Sequence, residues 1–313
     1  MSRSLLLISF ALLIGLQSQA QTNNPQLHSR YVWTKVLDSA GWRKSYNFQM
    51  FTQHDTAWVF HHDGNWYSTN GKTWAKSQLG NAIANLAFLD YVQFKGAMYG
   101  LGHFEGNIEH FTFKPVIYRT TDFKHWQILS VRSNLPARFF YHPFVFNHKI
   151  WIIGGEDKDR QYSDIWNSAD GITWIKQRDN LPFGKRNHSQ VVVFKGKLFL
   201  LNSDVWTSTN GLDWTLLAPE ILKGEQVFGY TPVVYDNKIW LVGCNRNGRF
   251  YSQVLVSSDG KNWAGQTAPW TPRGAMASTV FKGKIYITGG KYGGMPNHPD
   301  FRYSNDVWTL EKK

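Results

Sequence analysis

Trp206-Thr-Ser-Thr-Asn-Gly-Leu-Asp-Trp214 is the stretch that decides the fold, because its pattern recurs along the chain. Close copies occupy residues 66–74 and 166–174, a copy without the first Trp occupies 255–263, and a divergent copy occupies 118–126. Asn-Gly or Asp-Gly between short apolar or aromatic segments is a strong hairpin signal. The sequence therefore predicts the same β-hairpin several times over.

The turn of this hairpin can be built in two ways. A two-residue type I′ turn would place Trp214 opposite Thr207, whereas a three-residue loop with Gly211 in the left-handed region would place it opposite Trp206. We favour the three-residue loop, because it forms an aromatic pair in each copy and cross-strand pairs add about 0.2–1 kcal/mol each. The repeated Trp residues are interpreted as core residues and not as a stack that binds a ligand.

A second repeated segment precedes each hairpin and consists of two apolar runs around a tight turn. Its copies are Gln93–Gly102, Val145–Gly155, Val193–Leu201, Val234–Gly243 and Val280–Gly290, with a degenerate copy at residues 56–60. Each copy predicts two strands. Joined to the hairpin, it gives a unit of four strands, here called a to d. Four short strands that repeat every 40–52 residues are typical of propeller blades.

The two ends of the chain predict how the ring closes. Residues 305–310 resemble a strand c with no strand d after it, and residues 31–36 resemble a strand d with no partner before it. If the N-terminal strand completes the last blade, no open sheet edge remains. The prediction is an all-β, six-bladed β-propeller with four-stranded antiparallel blades. The predicted blade spans are residues 43–80, 81–130, 131–179, 180–219, 220–268, and 269–313 together with 28–38.

Residues 1–20 have the pattern of a signal peptide. Arg3 precedes an apolar run over residues 5–16, and the small residues up to Ala20 suit cleavage by signal peptidase. The apolar run is too short for a membrane span. Residues 21–313 are therefore expected to form a single exported domain, periplasmic or extracellular and monomeric. Cys244 is the single cysteine, so no intramolecular disulfide can form.

The chain is basic, with a formal net charge of +12. Such a balance can attract acidic polymers, acidic sugars or membrane surfaces. However, the lysines occupy scattered turn positions, such as Lys72, Lys95, Lys195 and Lys282, and form no dense run. The sequence favours a solvated basic surface, and in an exported protein it predicts no nucleic-acid partner.

The repeats resemble those of kelch propellers, including the central domain of galactose oxidases. Gly154-Gly155 and Gly289-Gly290 follow apolar strands, and Tyr162-Ser-Asp-Ile-Trp166 and Tyr303-Ser-Asn-Asp-Val-Trp308 lie downstream of them. The Ser-x-Asp-Gly-x-x-Trp turns are similar to a shortened Asp-box of sialidase-type propellers. The resemblance covers nearly all of residues 21–313. It implies a fold but no single activity, since propellers host many functions.

Three arginines fall at one equivalent position just before strand a of their blades: Arg138, Arg186 and Arg273. Residues before strand a and after strand b share one face of the ring, so the three are expected to converge around the central channel. The planar guanidinium group can hold a carboxylate bidentately. The resemblance implies the same use, because kelch propellers bind acidic partners there and sialidases use three arginines for a carboxylate. The alternative is that each Arg fixes a loop between blades or pairs with a neighbouring acid.

Other candidate ligand-binding residues fall near the same rim. Tyr141, His142, His188 and Tyr230 could add polar or stacking contacts, although each could equally be structural. Glu156 begins one of the varied loops that follow strand b, and such loops usually carry recognition in propellers. It is a candidate acid on the channel face.

The catalytic and metal-binding patterns are incomplete. Glu105, Glu156 and Asp157 cannot be placed at the separation that a glycosidase needs, and the Arg-Ile-Pro type motif of sialidases is missing. The histidines at 61, 62, 103 and 110 lack a convincing metal spacing. A copper site like that of galactose oxidase would need a Tyr linked to Cys, but Cys244 lies at a predicted strand end. No metal or cofactor is expected.

Three functions remain open, and the sequence does not decide whether the protein is an enzyme. The favoured hypothesis is an exported, non-catalytic recognition propeller that binds a glycan or an acidic protein segment at the channel face. One alternative is a sugar-active enzyme, sialate mutarotase-like or hydrolytic, with Glu156 or His188 as acid or base. The other is a structural scaffold of an envelope complex.

Overall fold

The computed structural model describes residues 30–78, 89–106, 110–294 and 300–313. The predicted signal peptide lies outside these ranges, as do parts of the loops after strand b in the second and sixth blades. Among the described residues, no helix is long and apolar enough to cross a membrane.

The apolar and aromatic segments that alternate with Gly-containing turns all form short β-strands. The first half of the chain contains β1 (Tyr31–Leu37), β2 (Gln49–Gln53), β3 (Thr56–His61), β4 (Gly64–Ser68), β5 (Ala75–Lys76), β6 (Asp90–Phe94), β7 (Ala97–Gly106), β8 (Phe111–Thr120), β9 (Gln127–Ser130), β10 (Phe144–Phe146), β11 (Lys149–Ile153), β12 (Ile165–Ser168) and β13 (Ile175–Arg178). The second half contains β14 (Gln190–Phe194), β15 (Lys197–Leu201), β16 (Val205–Ser208), β17 (Thr215–Ala218), β18 (Val227–Phe228), β19 (Thr231–Tyr235), β20 (Lys238–Val242), β21 (Cys244–Arg246), β22 (Arg249–Tyr251), β23 (Gln253–Ser257), β24 (Ala264–Thr267), β25 (Ala277–Phe281), β26 (Lys284–Thr288), β27 (Lys291–Tyr292), β28 (Arg302–Tyr303) and β29 (Val307–Lys312).

These strands form six four-stranded antiparallel sheets within the described ranges, which are blades 1 to 6. In order they are β2-β3-β4-β5, β6-β7-β8-β9, β10-β11-β12-β13, β14-β15-β16-β17, β19-β20-β23-β24 and β25-β26-β29-β1. The first strands of neighbouring blades contact one another, and Gln93 Nε2 donates to the Thr52 carbonyl at 3.0 Å between blades 1 and 2. The predicted propeller is confirmed, with strand a of each blade beside the channel.

The ring closes as predicted, because β1 forms the fourth strand of blade 6. Tyr31 pairs with Lys312 and Trp33 with Leu310 in the β1–β29 ladder. Lys312 Nζ also lies 3.0 Å from Asp236 Oδ1 in blade 5, which ties the closing strands to the neighbouring blade. Pairing the two ends covers the sheet edge that each would otherwise expose.

The hydrophobic core lies between blades, where neighbouring sheets face each other. Trp151 and Ile153 of blade 3, for example, belong to one buried cluster with Leu198 and Leu200 of blade 4. At about 25 cal/mol per Å² of apolar surface buried, these clusters stabilise the ring without any disulfide.

The predicted cross-strand Trp pair is wrong. Trp206 lies opposite Leu216, and Trp214 precedes strand β17. Both indole rings instead meet Phe183 edge-on at 5.7 Å between centroids. The Trp residues are thus core residues, as expected, but they pack on a third ring and not on each other.

The turn is wider than predicted because side chains supply its hydrogen bonds. Ser208 Oγ accepts the Gly211 N–H at 2.8 Å. Asn210 Oδ1 accepts those of Leu212 and Asp213 at 2.8 and 2.9 Å. The copies at 68–73, 168–173 and 257–262 repeat this arrangement. Gly211 has φ 82°, so the predicted left-handed glycine is present.

Gly260→Ala is expected to destabilise the fold by about 2–4 kcal/mol, through left-handed strain and overpacking together. Gly260 has φ +76°, and an added Cβ would lie 2.4 Å from the Phe199 ring. Gly283→Ala is the matched control, since Gly283 has φ +71° but open space around it, so its loss should be about 1–2 kcal/mol. Chemical unfolding of both variants measures the difference. Equal losses would contradict the packing argument.

Candidate functional site

The three predicted arginines each form an ion pair with an aspartate of the same blade. Arg138 donates from Nη1 and Nη2 to both carboxylate oxygens of its partner. The Arg186 pair has contacts of 2.9 and 3.2 Å, and Arg273 Nη2 lies 2.7 Å from its partner. The partners are Asp164, Asp204 and Asp306, respectively.

The same three aspartates also accept a hydrogen bond from an indole. The donors are Trp166, Trp206 and Trp308, at 2.8, 2.7 and 2.9 Å. Burial would raise the pKa of Asp164, but the hydrogen bonds from Arg138 and Trp166 lower it below its ordinary value. Each blade that carries the Arg therefore contains the same Arg–Asp–Trp unit, which is the pairing alternative that the sequence left open. A ligand role for the arginines stays a prediction.

Two adjoining cavities open where the six a strands begin. The larger, here called the channel cavity, has a volume of about 250 Å³. The smaller, here called the side pocket, has a volume of about 50 Å³ and lies against blades 1, 2 and 3. The two share lining residues that include Gln49, Tyr91 and His142, so they form one continuous candidate site.

Each blade contributes one residue to this site at the start of strand a; five of these residues pair with strand b, and the sixth, His142, lies two residues before the β10 ladder. The last a–b pair of blade 1 is Gln53 with Thr56, and that of blade 2 is Phe94 with Ala97. The residue in question lies four positions before the strand a member of this pair. The six residues are Gln49, Asp90, His142, Gln190, Thr231 and Ala277, and all line one of the two cavities. Five of the six can hydrogen bond, so this set of residues is polar except in blade 6.

Asp90 is the carboxylic acid of this set. Burial raises its pKa to about 7, although the half-buried side chain still meets solvent in the side pocket. Many protein atoms surround the carboxyl group, and among the described residues no hydrogen bond or ion pair compensates its charge. An uncompensated carboxyl group of this kind in a pocket is a candidate for proton transfer.

The neighbouring histidines are neutral at pH 7. Burial, and repulsion from His188 when both rings are protonated, lower the pKa of His142 to about 4. Burial also lowers the pKa of His188 and of His61, in spite of nearby Glu156 and Asp63, respectively. Neutral imidazoles can each donate one hydrogen bond and accept another, so His142 adds polar contacts without adding charge.

An aromatic surface lies beside these groups. The rings of Phe140 and His188 stack at 3.9 Å between centroids with an interplanar angle of 26°, and the His188 N–H donates to the Phe140 carbonyl at 3.0 Å. The backbone of both residues lies in the left-handed region, with φ 60° and 53°. This conformation is uncommon outside glycine. The strained backbone therefore holds a stacked pair at the channel mouth.

The other predicted residues divide between the cavity and the core. Tyr230 lines the channel cavity, although its hydroxyl donates to the Asn202 carbonyl at 2.6 Å. Tyr141 is 2% exposed and donates to the Leu101 carbonyl at 3.1 Å. Glu156 accepts hydrogen bonds from Gln161 and Asn187 and is not among the residues that line either cavity.

The described residues contain no group of three or more His, Cys, Asp or Glu arranged to hold a metal ion. Cys244 is buried, and burial raises the pKa of its thiol to about 12. A buried, protonated thiol is a poor nucleophile. The candidate chemistry of this site is thus the chemistry of Asp90 and the neutral polar groups around it.

Asp90→Asn is expected to stabilise the fold, and the gain should depend on pH. The pKa of Asp90 rises from an ordinary 3.8 to about 7 on folding, so folding binds a proton between these values. Ionised Asp90 therefore lowers the free energy of unfolding of the wild type. This cost is absent below about pH 4, grows as pH rises, and is complete above about pH 7, where it reaches at most about 4 kcal/mol. Unfolding of both proteins at pH 4 and pH 8 measures it. A gain that is equal at both pH values would contradict the assignment.

Comparison with known proteins supports the fold and leaves the activity open. No family model and no curated protein matches the chain. Among solved structures, the chain is similar to one titled "Structure of YjhT", with a TM-score of 0.68 and 14% identity, over 87% of this chain and 96% of that one. Likeness at this identity shows a shared β-propeller fold alone, and the kelch assignment stays a prediction.

Proposed function

We propose that the channel cavity and the side pocket bind a sugar or a similarly polyhydroxylated small molecule, and that Asp90 exchanges protons with it. The observation that carries the proposal is the Asp90 carboxyl group, unpaired among the described residues, open to the side pocket and with a pKa of about 7. An acid whose pKa lies near the working pH can serve both as general acid and as general base.

The lining supports a neutral ligand. Amide, imidazole and hydroxyl groups dominate the equivalent set from Gln49 to Thr231, and no Lys or Arg among the described residues lines either cavity. The guanidinium groups of the three predicted arginines already bind aspartates. A neutral polyhydroxylated molecule therefore matches the site better than the acidic ligand expected from the sequence.

The reaction that the site supports best is interconversion of sugar anomers. Asp90, as carboxylate, takes the proton of the anomeric hydroxyl while the C=O bond forms and the ring C–O bond breaks. Asp90 then delivers this proton to the ring oxygen, which regenerates the carboxylate. Closure on the other face of the carbonyl reverses these transfers, so atoms and charges balance without a co-reactant. Hydrolysis would need a second carboxyl group at a set separation, and among the described residues Asp90 is the one carboxylic acid that lines the channel cavity or the side pocket.

Recognition without turnover is a second candidate, favoured by the stacked Phe140 and His188 rings. A flat aromatic surface beside hydrogen-bonding groups can bind the apolar face of a sugar ring. In this case Asp90 would accept or donate a hydrogen bond without transferring the proton.

The test is a panel of neutral and acidic reducing sugars, with anomer exchange measured by NMR and binding measured by calorimetry. Exchange of at least one neutral sugar well above the buffer rate supports the proposal. Binding without exchange supports the recognition candidate and rejects proton transfer. Neither binding nor exchange for any sugar would reject both.

A further inference from the structure

The basic residues that are scattered in the sequence are gathered by the fold on one side of the ring. Strand a runs away from the channel mouth, so the a–b and c–d turns of every blade lie at the opposite end, here called the turn face. Hydrogen bonds join turns of adjacent blades. Lys95 Nζ donates to the Ala169 carbonyl at 3.0 Å, and Lys195 Nζ donates to that of Ser258 at 2.8 Å.

Every blade contributes lysine to this face. At or beside the turns lie Lys72, Lys95, Lys124, Lys149, Lys195, Lys197, Lys261 and Lys282. None of these forms an ion pair in the part of the chain that the structure describes. The face therefore carries ammonium groups around its whole circumference that no carboxylate neutralises directly.

Three of these lysines are held in equivalent places by aromatic rings. Their ammonium groups lie over the preceding Phe at 5.0, 5.0 and 5.5 Å from the ring centroids. The lysines are Lys95, Lys195 and Lys282, in blades 2, 4 and 6. Cation–π contacts limit the positions that a long side chain samples, so these charges are spaced regularly around the ring.

Carboxylates on the same face are fewer and several are already paired. They are Asp55, Asp122, Asp170, Asp213, Asp236, Asp259 and Glu311. Asp213 pairs with Arg178, Asp236 with Lys312, and Glu311 with Lys284. Backbone N–H groups donate to the carboxylates of Asp122, Asp170 and Asp259 in their turns. These three carboxylates keep their negative charge. Unpaired lysines still exceed unpaired acids, so the turn face is net positive.

We propose that the turn face binds the surface of an anionic lipid bilayer. Its positive charges are spread around a ring of turns that face one way, and such a pattern can meet a plane of anionic headgroups at many points at once. A linear acidic polymer would meet only a strip of them. Binding by the turn face would leave the channel mouth pointing away from the bilayer, where a soluble ligand can enter. This proposal stands independently of the proposed sugar chemistry.

The test uses the full chain and vesicles of phosphatidylglycerol mixed with phosphatidylcholine, with pure phosphatidylcholine vesicles as the reference. Co-sedimentation with the anionic vesicles alone is expected, and salt should release the protein because the contact is electrostatic. Each lysine near an anionic surface contributes about fivefold to the binding constant. Replacing Lys95, Lys195 and Lys282 together by Gln should therefore weaken binding about 100-fold.

The matched control makes the same charge change on the side of the channel mouth, with Lys44, Lys158 and Lys185 replaced by Gln. These lysines are exposed, and their removal should leave vesicle binding within about twofold of the wild type, since charges more than a Debye length from the surface are screened. Equal loss in both triple variants would show a general charge effect and overturn the proposal. No binding to anionic vesicles, or binding to heparin alone, would overturn it as well. Circular dichroism confirms that both variants are folded.

Discussion

Asp90→Asn is expected to slow anomer exchange by about 100- to 10,000-fold at neutral pH, the range that a positioned general acid or base contributes. Asn keeps the shape of the side chain and can still hydrogen bond, but it cannot take up or release a proton. Sugar binding should therefore change by less than about tenfold while turnover is lost. NMR exchange rates and calorimetry on the same samples separate the two effects.

Asp55→Asn is the matched control for this variant. Asp55 lies in the a–b turn of blade 1 and is exposed, so the same substitution there should leave exchange unchanged. The pH dependence gives a second readout. Because the pKa of Asp90 is about 7, the wild-type rate should change most between about pH 6 and pH 8, and this dependence should disappear in Asp90→Asn. Full activity in that variant would show that Asp90 does not transfer the proton.

The fold could be predicted from the sequence because its determinants are local and repeated. Each Asn-Gly or Asp-Gly turn specifies its own hairpin, and the unpaired patterns around Trp33 and Trp308 specified how the ring closes. The width of the turn was predicted incorrectly. Ser208 and Asn210 compete for backbone N–H groups with the ladder that would have paired Trp206 with Trp214, and a propensity argument does not include this competition.

The candidate site was harder to predict because its properties arise between blades. The sequence alignment of the blades correctly gave Arg138, Arg186 and Arg273 equivalent positions, but their partners are the residues just before strand c of the same blade. The sequence did carry a signal for this pairing, since an Asp two residues before a Trp occurs in each of these blades, as in Asp164-Ile-Trp166. Asp90 had no such signal. An acid at the start of a strand looks solvated until residues of three blades surround it and raise its pKa.

Asp164→Asn is expected to destabilise the protein by about 3–5 kcal/mol, because it leaves the Arg138 charge buried without its partner. The Arg138 side chain is 5% exposed and that of Asp164 is 8% exposed. The equivalent pair in blade 4 is more exposed, at 12% for Arg186 and 24% for Asp204. Water can solvate the remaining charge there, so Asp204→Asn should cost closer to about 1 kcal/mol. Chemical unfolding of both variants at neutral pH gives the comparison.

A double replacement then separates a structural arginine from one that binds a ligand. Arg138→Met with Asp164→Leu removes both charges, and apolar residues that replace a buried ion pair often restore stability. If the pair only holds blade 3 together, the double variant should recover most of the loss caused by Asp164→Asn and should bind and exchange sugars as the wild type does. If Arg138 also binds the ligand, stability should recover while affinity does not. Because the proposed site consists of Asp90 and the uncharged groups around it, we expect recovery of both stability and affinity.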